Sequence, residues 1–161
     1  MPDPAASSIL QHAQRVLDTE ATALAKLARQ LPPDFQAATE AMLACQGRVI
    51  VSGVGKSGHI GRKIAATFAS TGTPSYFIHA TEASHGDLGM IGPQDLCLLI
   101  SNSGETAELK DMIAHTRRFS IPMAAISSNG ASTLSKAATF KLTLPDAPEA
   151  CPIGLAPTTS T

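Results

Sequence analysis

Tryptophan is absent from the 161 residues, and a single tyrosine joins five phenylalanines. So thin an aromatic supply leaves no platform on which nucleic-acid bases would stack. Charged residues are only 16% of the chain and balance to a formal net charge of -1, so no general basic field argues for nucleic acid either. Cysteine is scarce and scattered. Cys45, Cys97 and Cys151 form no Cys-x-x-Cys pair, and no His/Cys spacing suggests a structural zinc site. Buried thiols in a reducing compartment are the expectation. No apolar run has the length needed to span a bilayer, and MPDPAASSIL lacks a basic segment followed by a long apolar one. A cytoplasmic protein with no membrane partner is expected. There is no internal repeat, low-complexity tract or block of like charge.

What is present is one domain's worth of patterned sequence, 43% hydrophobic. Leu10, Ala13, Val16, Leu17, Ala21, Leu24, Leu27 and Ala28 recur at spacings of three and four, which predicts an amphipathic helix over 7–30. Pro32-Pro33 stops it. Asp34 is the expected N-cap of a second helix over 35–45, ended by Gly47. Strands and helices then alternate. Strands are expected over 48–52, 75–79, 95–101, 122–127 and 140–144, with helices over 57–70, 82–88, 105–119 and 133–137. DLCLLIS, residues 95–101, shows no polar alternation and reads as the buried centre of a parallel sheet. The expectation is a three-layer α/β sandwich on a five-stranded parallel sheet, flavodoxin-like. Residues 1–46 would supply two N-terminal helices that pack on this domain or on a partner subunit, and residues 47–161 the domain itself. Ligands of such sheets bind beyond the carboxyl ends of the strands. Here that means the loops after strands one, three and four and the connection after strand five.

Two of those loops have anion chemistry. The first lies in RVIVSGVGKSGHIGR, residues 48–62. A β-branched strand feeds a turn containing Ser52, Gly53, Gly55, Lys56 and Ser57, then a helix carrying His59, Arg62 and Lys63. Backbone N–H groups at a helix start attract anions, and glycine permits close approach. A nucleotide P-loop does not fit, because the required spacing puts Ile50 where its first glycine should be. Gly53, Gly55 and Gly58 match dinucleotide spacing, but only Glu82 is available as the acidic partner. A tight turn alone would also explain these glycines. The second loop, Ser101-Asn102-Ser103-Gly104-Glu105-Thr106, sets hydroxyls and a glycine before a helix, as a phosphate cradle requires. An ordinary N-cap by Ser103 would explain it singly. Two such loops at neighbouring strand ends favour the cradle.

Ser101 to Thr106 resembles the SxSGxT phosphate loop of the SIS-domain sugar isomerase family. GKSGHIGRKIAATFASTGTPSYFIHATEASHGDLGMI and the ending EACPIGLAPTTST resemble that family's arabinose 5-phosphate isomerases. The resemblance implies interconversion of D-ribulose 5-phosphate and D-arabinose 5-phosphate, feeding Kdo and lipopolysaccharide synthesis, without a cofactor. It implies a homotetramer with active sites between subunits and a catalytic set falling on Lys56, Glu108 and Glu149. A fourth member, a histidine, and a tandem CBS pair would lie beyond Thr161. Pro157 before Thr158-Thr159-Ser160-Thr161 reads as the approach to a further helix, so a truncated chain is expected. An enediol isomerisation needs a base, a proton donor and a positive group beside the developing charge. The two glutamates and Lys56 suit these roles, though either glutamate could be base or acid. Each is equally explained as a solvated carboxylate. His85, in SHGDLG with Asp87 near, is a candidate for ring opening or for an inhibitory metal, or else a helix-end residue. His79 is a weaker site candidate. His12 and His115 read as helix-surface residues. The competing function is a sugar-phosphate-binding module, or an inactive fragment, that holds the ligand without turning it over.

Overall fold

Val49, Ile50 and Val51 open a strand that is buried along its whole length, and two opposed core layers form around it. The computed structural model describes residues 4–154 and 156–160. In chain order these form helix α1 (Pro4–Arg29), α2 (Phe35–Leu43), strand β1 (Val49–Gly53), α3 (Gly55–Ser70), β2 (Ser75–Phe77) and α4 (Ala80–Ser84). A 3-10 turn (Asp87–Met90) leads to β3 (Leu96–Ile100), and a second (Ala107–Leu109) runs directly into α5 (Lys110–Arg118). β4 (Met123–Ser127), α6 (Thr133–Ala137) and β5 (Phe140–Thr143) complete the set. All five predicted strands are present, each within two residues of its expected ends.

The strands are all parallel in the order β2-β1-β3-β4-β5. This is the flavodoxin-like order, in which the chain reverses direction of winding between β1 and β3. Both faces are covered, as unbroken apolar strands require. Ile50, Cys97, Leu99, Met123 and Ala125 point to one side, where they meet Ala83 of α4, Met112 and Ile113 of α5 and Leu134 of α6. Val49, Val51, Leu98, Ile100, Ala124 and Leu142 point to the other, against Ala38 of α2 and Ala65 of α3. Alternation along each strand divides its side chains between the two layers.

Helix α3 lies unusually near the sheet. A Cβ at Gly58 would stand 2.8 Å from the Gly53 carbonyl, and one at Gly61 would stand 3.0 Å from the Phe77 ring. Phe77 is closed from outside by the Arg62 guanidinium, 4.3 Å from its centroid. At the opposite edge, buried Asp95 accepts the N–H of Arg48 at 2.7 Å and of Gly92 at 2.7 Å, clamping the starts of β1 and β3 together. Asp34 holds the N-cap position of α2 as expected, but its side chain makes no cap hydrogen bond. Its carboxylate instead accepts the Lys141 N–H at 2.8 Å, tying the start of α2 to β5.

The chain divides into two compact units, residues 32–144 and residues 1–31 with 145–161. Helix α2 thus falls in the same compact unit as the sheet. In the second unit Lys26 donates to the Asp146 carbonyl at 2.7 Å, and Arg15 to that of Ala150 at 3.4 Å. Leu10, Leu17 and Leu24 recur every seven residues along α1 and are 65–70% exposed. Among the described residues, no helix is long and apolar enough to cross a membrane.

Candidate functional site

The reversal point between β1 and β3 is where both anion loops emerge. Gly53 and Ile100 are register partners at the ends of these strands, so the turn carrying Lys56 and the loop 101–106 leave the sheet side by side. β1 passes into α3 with Gly55 in the left-handed region at φ +59°. Lys56 follows on the first turn of α3. Its side chain is exposed and makes no hydrogen bond or ion pair among the described residues.

Within the second loop, the Ser101 and Thr106 hydroxyls converge to 2.7 Å, and Ser101 Oγ accepts the Gly104 N–H at 3.0 Å. Ser103 Oγ accepts the Glu105 N–H at 3.2 Å, a contact inside the loop; the N-cap position of the segment that follows is held by Thr106, so Ser103 is not the helix cap that would have explained the loop singly. Thr106 precedes the 3-10 turn, so the N–H groups of Ala107 and Glu108 start a helical segment with no carbonyl before them to bond. Hydroxyls and N–H groups are thus gathered where an anion is favoured by the helix dipole. Glu108 lies in this turn, not in the α-helix expected there, and its side chain is exposed.

The loop after β4 holds this cradle in shape. Asn102 O accepts from the Ser128 N–H at 3.0 Å and from the hydroxyls of Ser128 and Ser127 at 2.8 and 3.1 Å. Glu105 Oε1 accepts the Thr133 N–H at 2.8 Å, and Gly104 O accepts that of Leu134 at 3.1 Å, so the start of α6 is fastened to the loop. The Thr133 backbone and side chain hold the Glu105 carboxyl below its ordinary range. Gly104 stands at φ +69°, with Ser132 directly behind its Cα. The roles of Glu105, Ser127, Ser128 and Ser132 escaped the sequence reading. Its one clue was the hydroxyl-rich run 127–133, in a loop that the strand-end rule had already selected.

Some expected ligand residues prove to be inward-facing. Ser52 is completely buried, with its Oγ unpartnered. Gly53 is packed so that a Cβ would meet the carbonyls of Ile100 and Ser57 at 3.1 Å. These two residues set the depth of the turn, while Gly55, Lys56, Asn102 and Ser103 are exposed and Ser57 is half-buried. His85 is exposed at the end of α4, and among the described residues no group of three or more His, Cys, Asp or Glu is placed to hold a metal. His79 caps α4 by accepting the Thr81 N–H at 3.3 Å. His115 is half-buried rather than a plain surface residue, with its ring 4.7 Å from Phe119.

Glu149 belongs to the other unit. Its Oε2 accepts the N–H groups of Thr158 at 2.7 Å, Thr159 at 2.9 Å and Ser160 at 3.4 Å, and the Thr158 hydroxyl at 3.1 Å. Burial raises the carboxyl. The Ser160 side chain and the donors of Thr158 and Thr159 outweigh it and bring the group down to about 2. Ser160 Oγ meets no partner at hydrogen-bonding geometry, so its hydroxyl acts as a nearby dipole while the N–H groups make the bonds.

Sheet order defines a parallel α/β domain with two glycine- and hydroxyl-rich loops side by side at the carboxyl edge of its sheet. The SIS domain matches residues 42–161, and the chain belongs to that family. Arabinose 5-phosphate isomerase KdsD of Yersinia pestis is 55% identical over 151 residues, which cover 94% of this chain and 46% of the relative. KdsD of Escherichia coli K12 is 50% identical with the same coverage. The chain thus spans about half the length of the curated relatives it matches. An Escherichia coli CFT073 protein solved in complex with A5P superposes with a TM-score of 0.91 at 38% identity, covering 96% of this chain and 82% of the other.

Proposed function

We propose that this chain is the sugar-phosphate-handling domain of an arabinose 5-phosphate isomerase, interconverting D-ribulose 5-phosphate and D-arabinose 5-phosphate through an enediol. The observation that carries the reading is the emergence of the Lys56 turn and the 101–106 cradle side by side at the β1/β3 reversal. The kinship with KdsD supplies the substrate.

In this reading the phosphate sits on Ser101, Ser103, Thr106 and the N–H groups that open the following turn, with Asn102 and Gly104 shaping the loop and Gly55 and Ser57 the facing wall. Lys56, a cation with no ion-pair partner among the described residues, stabilises the negative charge that develops on the enediolate oxygen. Of Glu108 and Glu149, one is the base that carries the proton between the adjacent carbons and the other the acid that protonates the substrate oxygen. His85 assists ring opening. The chemistry calls for no redox cofactor, since hydrogen moves as a proton within one molecule. The enzyme works in the cytoplasm, supplies arabinose 5-phosphate for Kdo and lipopolysaccharide synthesis, and assembles as a homotetramer. The exposed stripe of Leu10, Leu17 and Leu24 is suited to subunit contact.

The test is to incubate the chain with ribulose 5-phosphate and assay arabinose 5-phosphate. Turnover lost in Lys56→Ala and Glu108→Gln supports the reading. Thermal stabilisation by sugar phosphate without turnover would replace it with a binding module.

A further inference from the structure

Thr158 makes three hydrogen bonds with two residues that lie eight and nine positions before it. Its N–H donates to Glu149 Oε2 at 2.7 Å, and its hydroxyl donates to the same oxygen at 3.1 Å. The hydroxyl oxygen in turn accepts the N–H of Ala150 at 2.9 Å. Ala150 is fully buried, so this N–H has no water to turn to. One side chain therefore closes the loop 149–158 at both ends and engages one particular oxygen of a carboxylate. A hydroxyl that gives its proton to a carboxylate and receives an N–H in return is held in a single orientation.

We propose that Thr158 is a positioning residue that sets the orientation of the Glu149 carboxylate through Oε2, leaving Oε1 as the oxygen that exchanges a proton with the sugar. This rests on the reading of Glu149 as one of the two proton-moving groups. The consequence is a division of labour within one carboxylate. Oε2 is committed to a run of N–H groups, as a helix cap would be, and the carboxyl plane is fixed by it. An untethered glutamate would have to give up three side-chain rotations at each turnover, whereas this one is set beforehand. Among the described residues, the charged groups lining the groove between α1 and this segment are Arg15, Asp18, Lys26 and Asp146. Arg15 and Lys26 are already turned to the carbonyls of Ala150 and Asp146.

Two substitutions separate positioning from mere support. Thr158→Val keeps the shape and the N–H but removes both hydroxyl bonds, while Thr158→Ser keeps all three. The Glu149 carboxyl is followed by ¹³C NMR titration, and the isomerase rate is measured against pH. In the unaltered chain the carboxyl should titrate near 2. Thr158→Val should move this titration and the acid limb of the rate profile upward together, with kcat down roughly 10–100-fold and KM little changed. Thr158→Ser should restore both. A Glu149 that titrates in the ordinary carboxylate range in the unaltered chain overturns the proposal, even where Thr158→Val does not fold. So does a Thr158→Val chain that folds and leaves the titration unmoved. Absence of turnover by the unaltered chain bears on the isomerase reading alone, while the titration still decides whether Thr158 governs Glu149.

Discussion

Gly104→Ala probes the cradle most directly, because two independent effects act at one atom. Gly104 lies at φ +69°, where an L side chain is strained by about 1–2 kcal/mol. Its new Cβ would also be driven into Ser132 Oγ and Cβ and approach Ser127 Oγ at 3.0 Å. Both neighbours are buried and hydrogen-bonded, Ser132 to Ser135 at 3.0 Å and Ser127 to Asn102 O at 3.1 Å, so neither can swing aside freely. Overpacking of this kind costs about 1–3 kcal/mol, placing the whole effect at about 2–5 kcal/mol. For a chain of this size that lowers the melting temperature by roughly 5–15 °C. Gly55→Ala supplies the control. Gly55 also has a left-handed backbone, at φ +59°, but nothing lies within 4 Å of its Cβ position. It should lose only the conformational part, roughly 2–6 °C. Calorimetry or circular-dichroism melting of the two variants and the parent gives the difference. If Gly104→Ala melts no lower than Gly55→Ala, then Ser132 does not wall the loop and the cradle is not built as described.

Asp95→Ala leaves the N–H groups of Arg48 and Gly92 without their acceptor and should destabilise by about 2–4 kcal/mol in urea titration; a change under about 0.5 kcal/mol would show that water replaces the carboxylate. Cys97 lies in the core and burial, followed by the charge of Asp95, pushes its thiol up to about 12. At pH 8 it should react with a disulfide reagent only on unfolding, and prompt labelling of Cys97 in the native chain would contradict this. Glu149 has a folded-state value of about 2 against an ordinary 4.5. A depressed carboxylate stabilises the fold above its unfolded value and loses that stabilisation as pH falls through the folded one. The protection of the Thr158 and Thr159 amides, relative to their intrinsic exchange rates at each pH, should therefore fall between about pH 4.5 and 2, and unchanged protection down to pH 2 would refute the capping role.

The alternation of apolar strands and crossover helices was legible in the sequence because it depends on local periodicity. A parallel strand buried on both faces must be apolar throughout, and 95–101 could be read no other way. The candidate loops were picked out by their place after strands, since glycine and hydroxyl residues there also serve ordinary turns and caps. Helix starts were less faithful. Asp34 has the right residue type for a cap, but a backbone N–H of β5, more than a hundred positions away, competes for its carboxylate and wins. Glu108 fell in a 3-10 turn because the chain tightens where it leaves the cradle.

What sequence alone determined, then, was the order of elements and the chemical kind of each strand-end loop. Only the folded structure decided how these loops are used. Ser52 and Ser103 are the same residue type in equally suggestive stretches, yet one is sealed in the core and the other faces out. Glu105 and the 127–133 loop became part of the cradle because parallel register sets the ends of β3 and β4 beside each other. Burial and strand register are long-range properties. They depend on which segments pack together, and no local pattern of residues encodes them.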